Sequence, residues 1–74
     1  MFESVESYKE LCMKLKLMGI EEFPSKLVFN IAFGYKKMFG PSINQWKKFV
    51  SAIEYNINNK IPLSKITTVS LGYL

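Results

Sequence analysis

Apolar side chains recur at helical spacing in three segments of the chain, and glycine and proline separate these segments. The first segment is predicted to form a helix over about residues 4–18, with Ser4 as its N-cap. Gly19 can adopt the left-handed conformation that closes a helix, and Ile20 would fold back on Leu15 as in a Schellman ending.

The second segment follows Pro24 and Ser25 and is apolar nearly all round as far as Phe33, a pattern typical of a central, buried helix. Gly34 costs a helix about 1 kcal/mol relative to alanine, so the segment either bends there or uses the missing side chain for close helix contact, and we expect a break or kink. The helix is therefore predicted over residues 25–33, with the stretch up to residue 39 either continuous with it or a short separate turn.

The third segment has the clearest start, because Pro41 precedes Ser42 as N-cap and Gln45 lies three residues on, as in a capping box. One amphipathic helix is predicted over residues 43–58. The tail, residues 61–74, fits a helix and an alternating strand about equally well, so it is predicted to be either a short helix or an extended segment.

These elements predict an all-α fold, a small bundle of three to four helices in a single domain spanning residues 1–74. The chain has 74 residues, of which 49% are hydrophobic and 15% aromatic, more apolar material than such a core strictly needs. The surplus favours a protein partner or a homo-oligomer, such as a dimer. The alternative is that a small protein compensates for its size with large rings.

Charge is distributed unevenly along the sequence. Residues 1–22 contain five glutamates and three lysines, whereas residues 23–74 contain seven lysines and one glutamate. A basic back half of this kind indicates an acidic partner, either nucleic acid or an acidic protein surface, although a solvated lysine face is the more common explanation of any one cluster.

The residue types that are missing exclude most chemistry. The chain has no histidine, aspartate or arginine, so acid–base catalysis and activation of a nucleophile lack their usual groups, and we expect no enzyme activity and no small-molecule substrate. Cys12 is the only cysteine, which excludes a zinc site and an internal disulfide. No metal or cofactor is expected. No apolar stretch is long enough to cross a membrane and the first residues do not resemble a secretory signal, so a cytoplasmic location is expected.

The stretch Tyr35–Val50 resembles a helix-turn-helix unit, with a short helix, a glycine turn and a second helix. Such a resemblance implies that polar residues early in the second helix contact nucleic acid. It departs from the usual pattern at Lys36, where a small residue is normal, and at Trp46, where a modest aliphatic is. The absence of arginine disfavours specific base contacts but not phosphate contacts. The candidate nucleic-acid residues are Asn44, Gln45, Lys47, Lys48 and Ser51.

A second interpretation takes the same stretch as a protein-docking face, with aromatic and methionine anchors and a rim of lysines. It predicts a small non-catalytic inhibitor, adaptor or regulator, and the lysine-, isoleucine- and asparagine-rich composition would suit phage or mobile-element origin. For each of these aromatic and methionine residues taken singly, the simpler alternative is that it belongs to the hydrophobic core. The candidate partner-binding residues are Tyr35, Lys36, Lys37, Met38, Phe39, Lys47 and Lys48, joined by any exposed edge of Trp46.

Overall fold

The computed structural model describes residues 2–40 and 44–73, and the described residues contain three α-helices and no β-strand. The helices are α1 (Tyr8–Leu17), α2 (Lys26–Phe39) and α3 (Asn44–Asn58). Short 3-10 turns precede α1 at Phe2–Ser4 and follow α3 at Leu63–Lys65. The predicted all-α fold is confirmed.

Helix α1 begins later than its hydrophobic pattern indicated. Ser7, in extended conformation, is the N-cap, and its Oγ accepts a hydrogen bond from the Glu10 amide at 3.1 Å. The Glu10 carboxylate accepts in turn from the amide of Glu6 at 2.6 Å, so two amides that precede or open the helix are satisfied. Ser4 lies instead in the separate 3-10 turn.

The predicted ending of α1 is observed. Gly19 has a φ of 82°, and its amide donates to the Lys16 carbonyl at 2.9 Å. The amide of Ile20 donates to the Leu15 carbonyl at 3.0 Å, which completes the two bonds of a Schellman motif.

Helix α2 is continuous through Gly34, so the expected break does not occur. Packing on both sides of the glycine explains this. Phe33 lies edge-on to Trp46 at 5.9 Å between centroids, and the Nζ of Lys36 lies 4.8 Å from the centre of the same indole ring. Contacts of this kind outweigh a propensity cost of about 1 kcal/mol. The helix ends at Gly40, which has a φ of 81°.

Helix α3 packs against α2 and against both 3-10 turns, whereas α1 packs against α2. It is described from Asn44 onward, and the predicted cap at Ser42 and first helical residue Ile43 lie outside the described residues. Its inner face contributes four buried apolar side chains from four successive positions of one stripe. These side chains are Trp46, Phe49, Val50 and Ile53.

Phe29 of α2 lies at the centre of the aromatic part of the core. Its ring centroid is 5.4 Å from that of Tyr8 on α1 and 6.0 Å from those of Trp46 and Phe49 on α3, all in edge-to-face geometry. It also stacks on Phe33 at 5.3 Å. The other buried apolar residues are Phe2, Val5, Leu11, Leu15, Val28, Ala32, Leu63, Ile66 and Leu71.

The tail folds back along α3 as a 3-10 turn followed by further turns, which resolves the ambiguity of its pattern. The side-chain amide of Asn56 donates to the Pro62 carbonyl at 3.2 Å and fixes the start of the tail. Leu71 is buried, and the Tyr73 hydroxyl donates to the backbone carbonyl of Gln45 at the beginning of α3. The end of the tail therefore lies beside the first turn of α3.

Candidate functional site

The structure places most of the predicted site residues on two surfaces. The first is the C-terminal end of α2, where Tyr35 and Phe39 are in contact, and the second is the outer face of α3, which carries Lys47 and Lys48. Among the described residues the cation–π contacts are made by Lys16 and Lys36, whereas Lys47 and Lys48 line a depression together with Asn44 and Ser51. A lysine rim around the aromatic residues stays a prediction.

The first surface, here called the α2-end cluster, consists of Tyr35, Met38, Phe39 and Tyr73. The Tyr35 ring lies between two others, with its centroid 6.1 Å from that of Phe39 and 5.9 Å from that of Tyr73. Met38 is 77% exposed and Phe39 is 56% exposed. The cluster is therefore a continuous aromatic and thioether surface that is half-buried at its base and open at its top.

Tyr73 is the member of this cluster that sequence reasoning missed. Its side chain is half-buried and its hydroxyl donates to the Gln45 carbonyl. Burial, and then the neighbouring Tyr35, raise the pKa of Tyr73 to about 12. An aromatic residue at the end of an ambiguous tail carries no signal of its position, because its neighbours are 28 and 38 residues away in sequence.

Lys36 belongs to the fold rather than to either surface. Its Nζ donates to the backbone carbonyls of Glu3 at 2.8 Å and Val5 at 2.9 Å, and lies 3.8 Å from a carboxylate oxygen of Glu6. The side chain is mostly buried, and its charge faces the Trp46 ring. Lys36, although named as a partner-binding residue from the sequence, has its ammonium group already engaged within the chain.

Trp46 likewise offers no exposed edge, since it is only 3% exposed. Its indole is enclosed by the rings of Phe29, Phe33 and Phe49. The indole Nε1 is buried and has no hydrogen-bond partner in the part of the chain that the structure describes. Trp46 is therefore a core residue and not a docking anchor.

The second surface, here called the α3 outer face, brings four of the five candidate nucleic-acid residues together. Asn44, Lys47, Lys48 and Ser51 are exposed and line one shallow depression. Ser70 and Leu71 of the tail form its other wall. Neither lysine forms an ion pair among residues 2–40 and 44–73. Such a surface presents two free ammonium groups, an amide and the Ser51 hydroxyl to any anion that approaches, whereas the Ser70 hydroxyl donates to the Thr67 carbonyl.

Gln45 is the exception among those candidates. Its side chain is only partly exposed, it does not line the depression, and its backbone carbonyl accepts from Tyr73. Through this hydrogen bond the tail is attached to the first turn of α3 at Gln45.

The two departures from the helix-turn-helix pattern prove to be one structural feature. Lys36 stands where a small residue would let two helices approach, and Trp46 stands where an aliphatic would pack beneath them. In the structure the Lys36 ammonium lies over the Trp46 ring, so the large side chains fill the space between α2 and α3 together. The order of a helix, a short connection and a second helix is the same as in a helix-turn-helix unit. The packing between the two helices differs from that motif.

Comparison with known proteins found no family model, no curated relative and no solved structure that matches the chain. Within the described ranges no helix combines the length and the apolar character that crossing a bilayer requires.

Proposed function

We propose that the protein is a non-catalytic binding protein that acts by docking on another protein through the α2-end cluster. The observation that supports this proposal is the stacking of exposed Phe39 on half-buried Tyr35, which also contacts Tyr73, with exposed Met38 one helical turn from Tyr35. Aromatic and methionine side chains are enriched at the cores of protein interfaces, whereas isolated exposed apolar residues carry no such meaning.

The base of the cluster supports the same proposal. Tyr35 is held between the rings of Phe39 and Tyr73, and Tyr73 is fixed by its hydrogen bond to α3. Anchors held by a rigid base lose little side-chain freedom on binding, and this lowers the cost of association. The absence of histidine, aspartate and arginine agrees with a role as inhibitor, adaptor or regulator instead of enzyme.

Capture from a host lysate, with and without nuclease, tests the proposal first, because it separates protein partners from those bridged by nucleic acid. The captured protein is then bound to Met38→Ala and Phe39→Ala, with Leu17→Ala on the exposed side of α1 as the matched control. Emptying a desolvated pocket should speed dissociation by about tenfold or more for each cluster variant. Unchanged dissociation in both would place the docking surface elsewhere.

A second candidate function is sequence-neutral binding of nucleic acid by the α3 outer face. It is favoured by the four exposed polar and cationic side chains that line one depression, and lysine is adequate for phosphate contacts. Binding to duplex DNA should then weaken steeply with salt, and Lys47→Glu with Lys48→Glu should abolish it. No binding of DNA at low salt would eliminate this candidate and leave protein docking.

A further inference from the structure

An apolar line runs along the outer side of α2 and continues into the α2-end cluster. Leu27, Ile31, Gly34 and Met38 are spaced four, three and four residues apart, which places them on one side of the helix. Leu27 is 65% exposed, and Ile31 and Gly34 are partly exposed. This spacing is the one by which a helix packs along a second helix.

Gly34 at the middle of this line has no role in the chain's own fold. Its φ is not positive, and a Cβ added there would meet no atom within 4 Å. Glycine is a poorer helix former than alanine, so the helix would be more stable with alanine at this position. What glycine allows, and alanine hinders, is close approach by a backbone from outside the chain.

The charges beside the line are all of one sign. Lys26 and Lys37 are exposed, and helical geometry places both along the same edge, about 16 Å apart along the axis. Helix α2 has no acidic residue, and neither lysine forms an ion pair with any residue that the structure describes. Pairing α2 with α2 of a second copy would bring basic edges together, whereas an acidic partner would be attracted.

We propose that the partner docks on α2 through an amphipathic helix whose flank is acidic, and that this helix crosses α2 at Gly34. The proposal rests on the protein-docking function and extends its surface from Met38 towards Leu27. Apolar residues of the partner would lie against the line from Leu27 to Met38, and its carboxylates would lie beside Lys26 and Lys37. Apolar contact supplies the affinity, and charge selects the partner and the direction of docking.

A synthetic helical peptide is the probe for this proposal. It has about three heptads, with leucine at positions a and d and glutamate at positions e and g, so that its own charges oppose self-pairing. A second peptide has lysine in place of every glutamate. Isothermal titration with the intact protein should show binding of the acidic peptide at concentrations below about 500 µM, and no binding of the basic one.

Three variants distinguish the proposed docking from nonspecific hydrophobic binding of the peptide. Gly34→Ala should weaken peptide binding about fivefold while raising the Tm of the free protein by a few degrees, because alanine favours the helix and hinders close approach. Lys26→Glu combined with Lys37→Glu should weaken binding about tenfold. Met13→Ala on the exposed side of α1 is the control and should change neither quantity.

Equal binding of both peptides, or an affinity that Gly34→Ala leaves unchanged, would overturn the proposal. Self-association of the protein in analytical ultracentrifugation that Gly34→Ala abolishes would also overturn it, because the occupant would then be a second copy. If a captured protein partner depends on Phe39 but not on Gly34 or Lys37, docking by the α2-end cluster stands and only the helical occupant fails.

Discussion

Two lysines adjacent in sequence have opposite environments in this protein. Lys36 donates to two backbone carbonyls near the N-terminus of the chain and lies over an indole, while Lys37 is exposed on a neighbouring side of α2. Helical periodicity accounts for the difference, because consecutive residues are about 100° apart around the axis. A charged pair in a basic run therefore combines one structural residue with one that is available for a partner.

The pair provides a matched test of this assignment. Lys36→Met keeps much of the apolar stem but removes the donors to Glu3 and Val5, so we expect a loss of about 1–3 kcal/mol in the free energy of unfolding. Lys37→Met should change it by less than about 0.5 kcal/mol. Urea denaturation measures both, and equal effects would contradict the inward role of Lys36.

Tyr73 is predicted to make stability depend on pH in the alkaline range. Its folded pKa of about 12 lies above the ordinary value of 10.0, so the folded state favours the protonated hydroxyl. The contribution is fully present below pH 10 and is lost as the pH rises from 10 towards 12. Lysines titrate in the same range, and the comparison of wild type with Tyr73→Phe isolates the tyrosine.

The difference in free energy of unfolding between the wild type and Tyr73→Phe should become smaller as the pH rises. At pH 8 Tyr73→Phe should be less stable by about 1 kcal/mol, the usual value of one hydrogen bond. Between pH 10 and pH 12 the stability advantage of the wild type should disappear, because the unfolded tyrosine ionises first and folding must then reprotonate the hydroxyl that donates to Gln45. A gap that is constant across this range in thermal melts would show that Tyr73 does not titrate as the structure indicates.

At the scale of the helices, ends depend on hydrogen bonds that the hydrophobic pattern does not contain. The apolar stripe of α1 extends back to Val5, but the helix begins after Ser7, whose hydroxyl and the Glu10 carboxylate satisfy the free amides. At Gly34 the sequence predicted a break that the structure does not have. The weak local preference for a break is overcome because the neighbouring side chains pack on Trp46. Local signals locate helices, and tertiary contacts adjust their limits.

Replacing serine by alanine at two helical positions should have effects of opposite sign. Ser7→Ala removes the N-cap of α1 and should lower the free energy of unfolding by about 1 kcal/mol. Ser51→Ala, at an exposed position within α3, should leave it unchanged or raise it slightly, because alanine is the better helix former. Circular dichroism during urea denaturation measures both changes. If Ser7→Ala left the free energy of unfolding unchanged, Ser7 would not be the N-cap of α1.

At the scale of the whole molecule, the tail joins elements that are distant in sequence. Ile66 and Leu71 are buried, and Tyr73 connects the rings of α2 to the first turn of α3. The tail also forms one wall of the depression on the α3 outer face. Both candidate surfaces therefore include residues of the last few turns of the chain.

The tail is expected to unfold together with the helices. Leu71→Ala should lower the free energy of unfolding by about 2–3 kcal/mol, the usual cost of a cavity at a buried leucine. Val69→Ala, two residues earlier and 77% exposed, is the control and should be nearly neutral. Trp46 fluorescence and far-ultraviolet circular dichroism should report coincident transitions in all three proteins. Separate transitions would make the tail an independent unit.

The sequence by itself determined the helical class, the three helices and the Schellman ending of α1. These features depend on contacts between residues three to five positions apart. The spacing of apolar residues and the positions of glycine are sufficient to predict such contacts. Met38 and Phe39, which the sequence names as candidate partner-binding residues, are exposed at the end of α2, and their role in docking stays a prediction.

Only the tertiary structure decided which predicted site residues share a surface. The Lys36 ammonium lies over the Trp46 ring, Tyr73 contacts Tyr35 in the α2-end cluster, and Lys47 and Lys48 line the depression on the α3 outer face. Each outcome depends on which faces of α2, α3 and the tail pack together, through contacts 10 to 38 residues apart in sequence. A periodic pattern specifies that a helix has an apolar face, but the shape of all the packed faces together determines what that face meets.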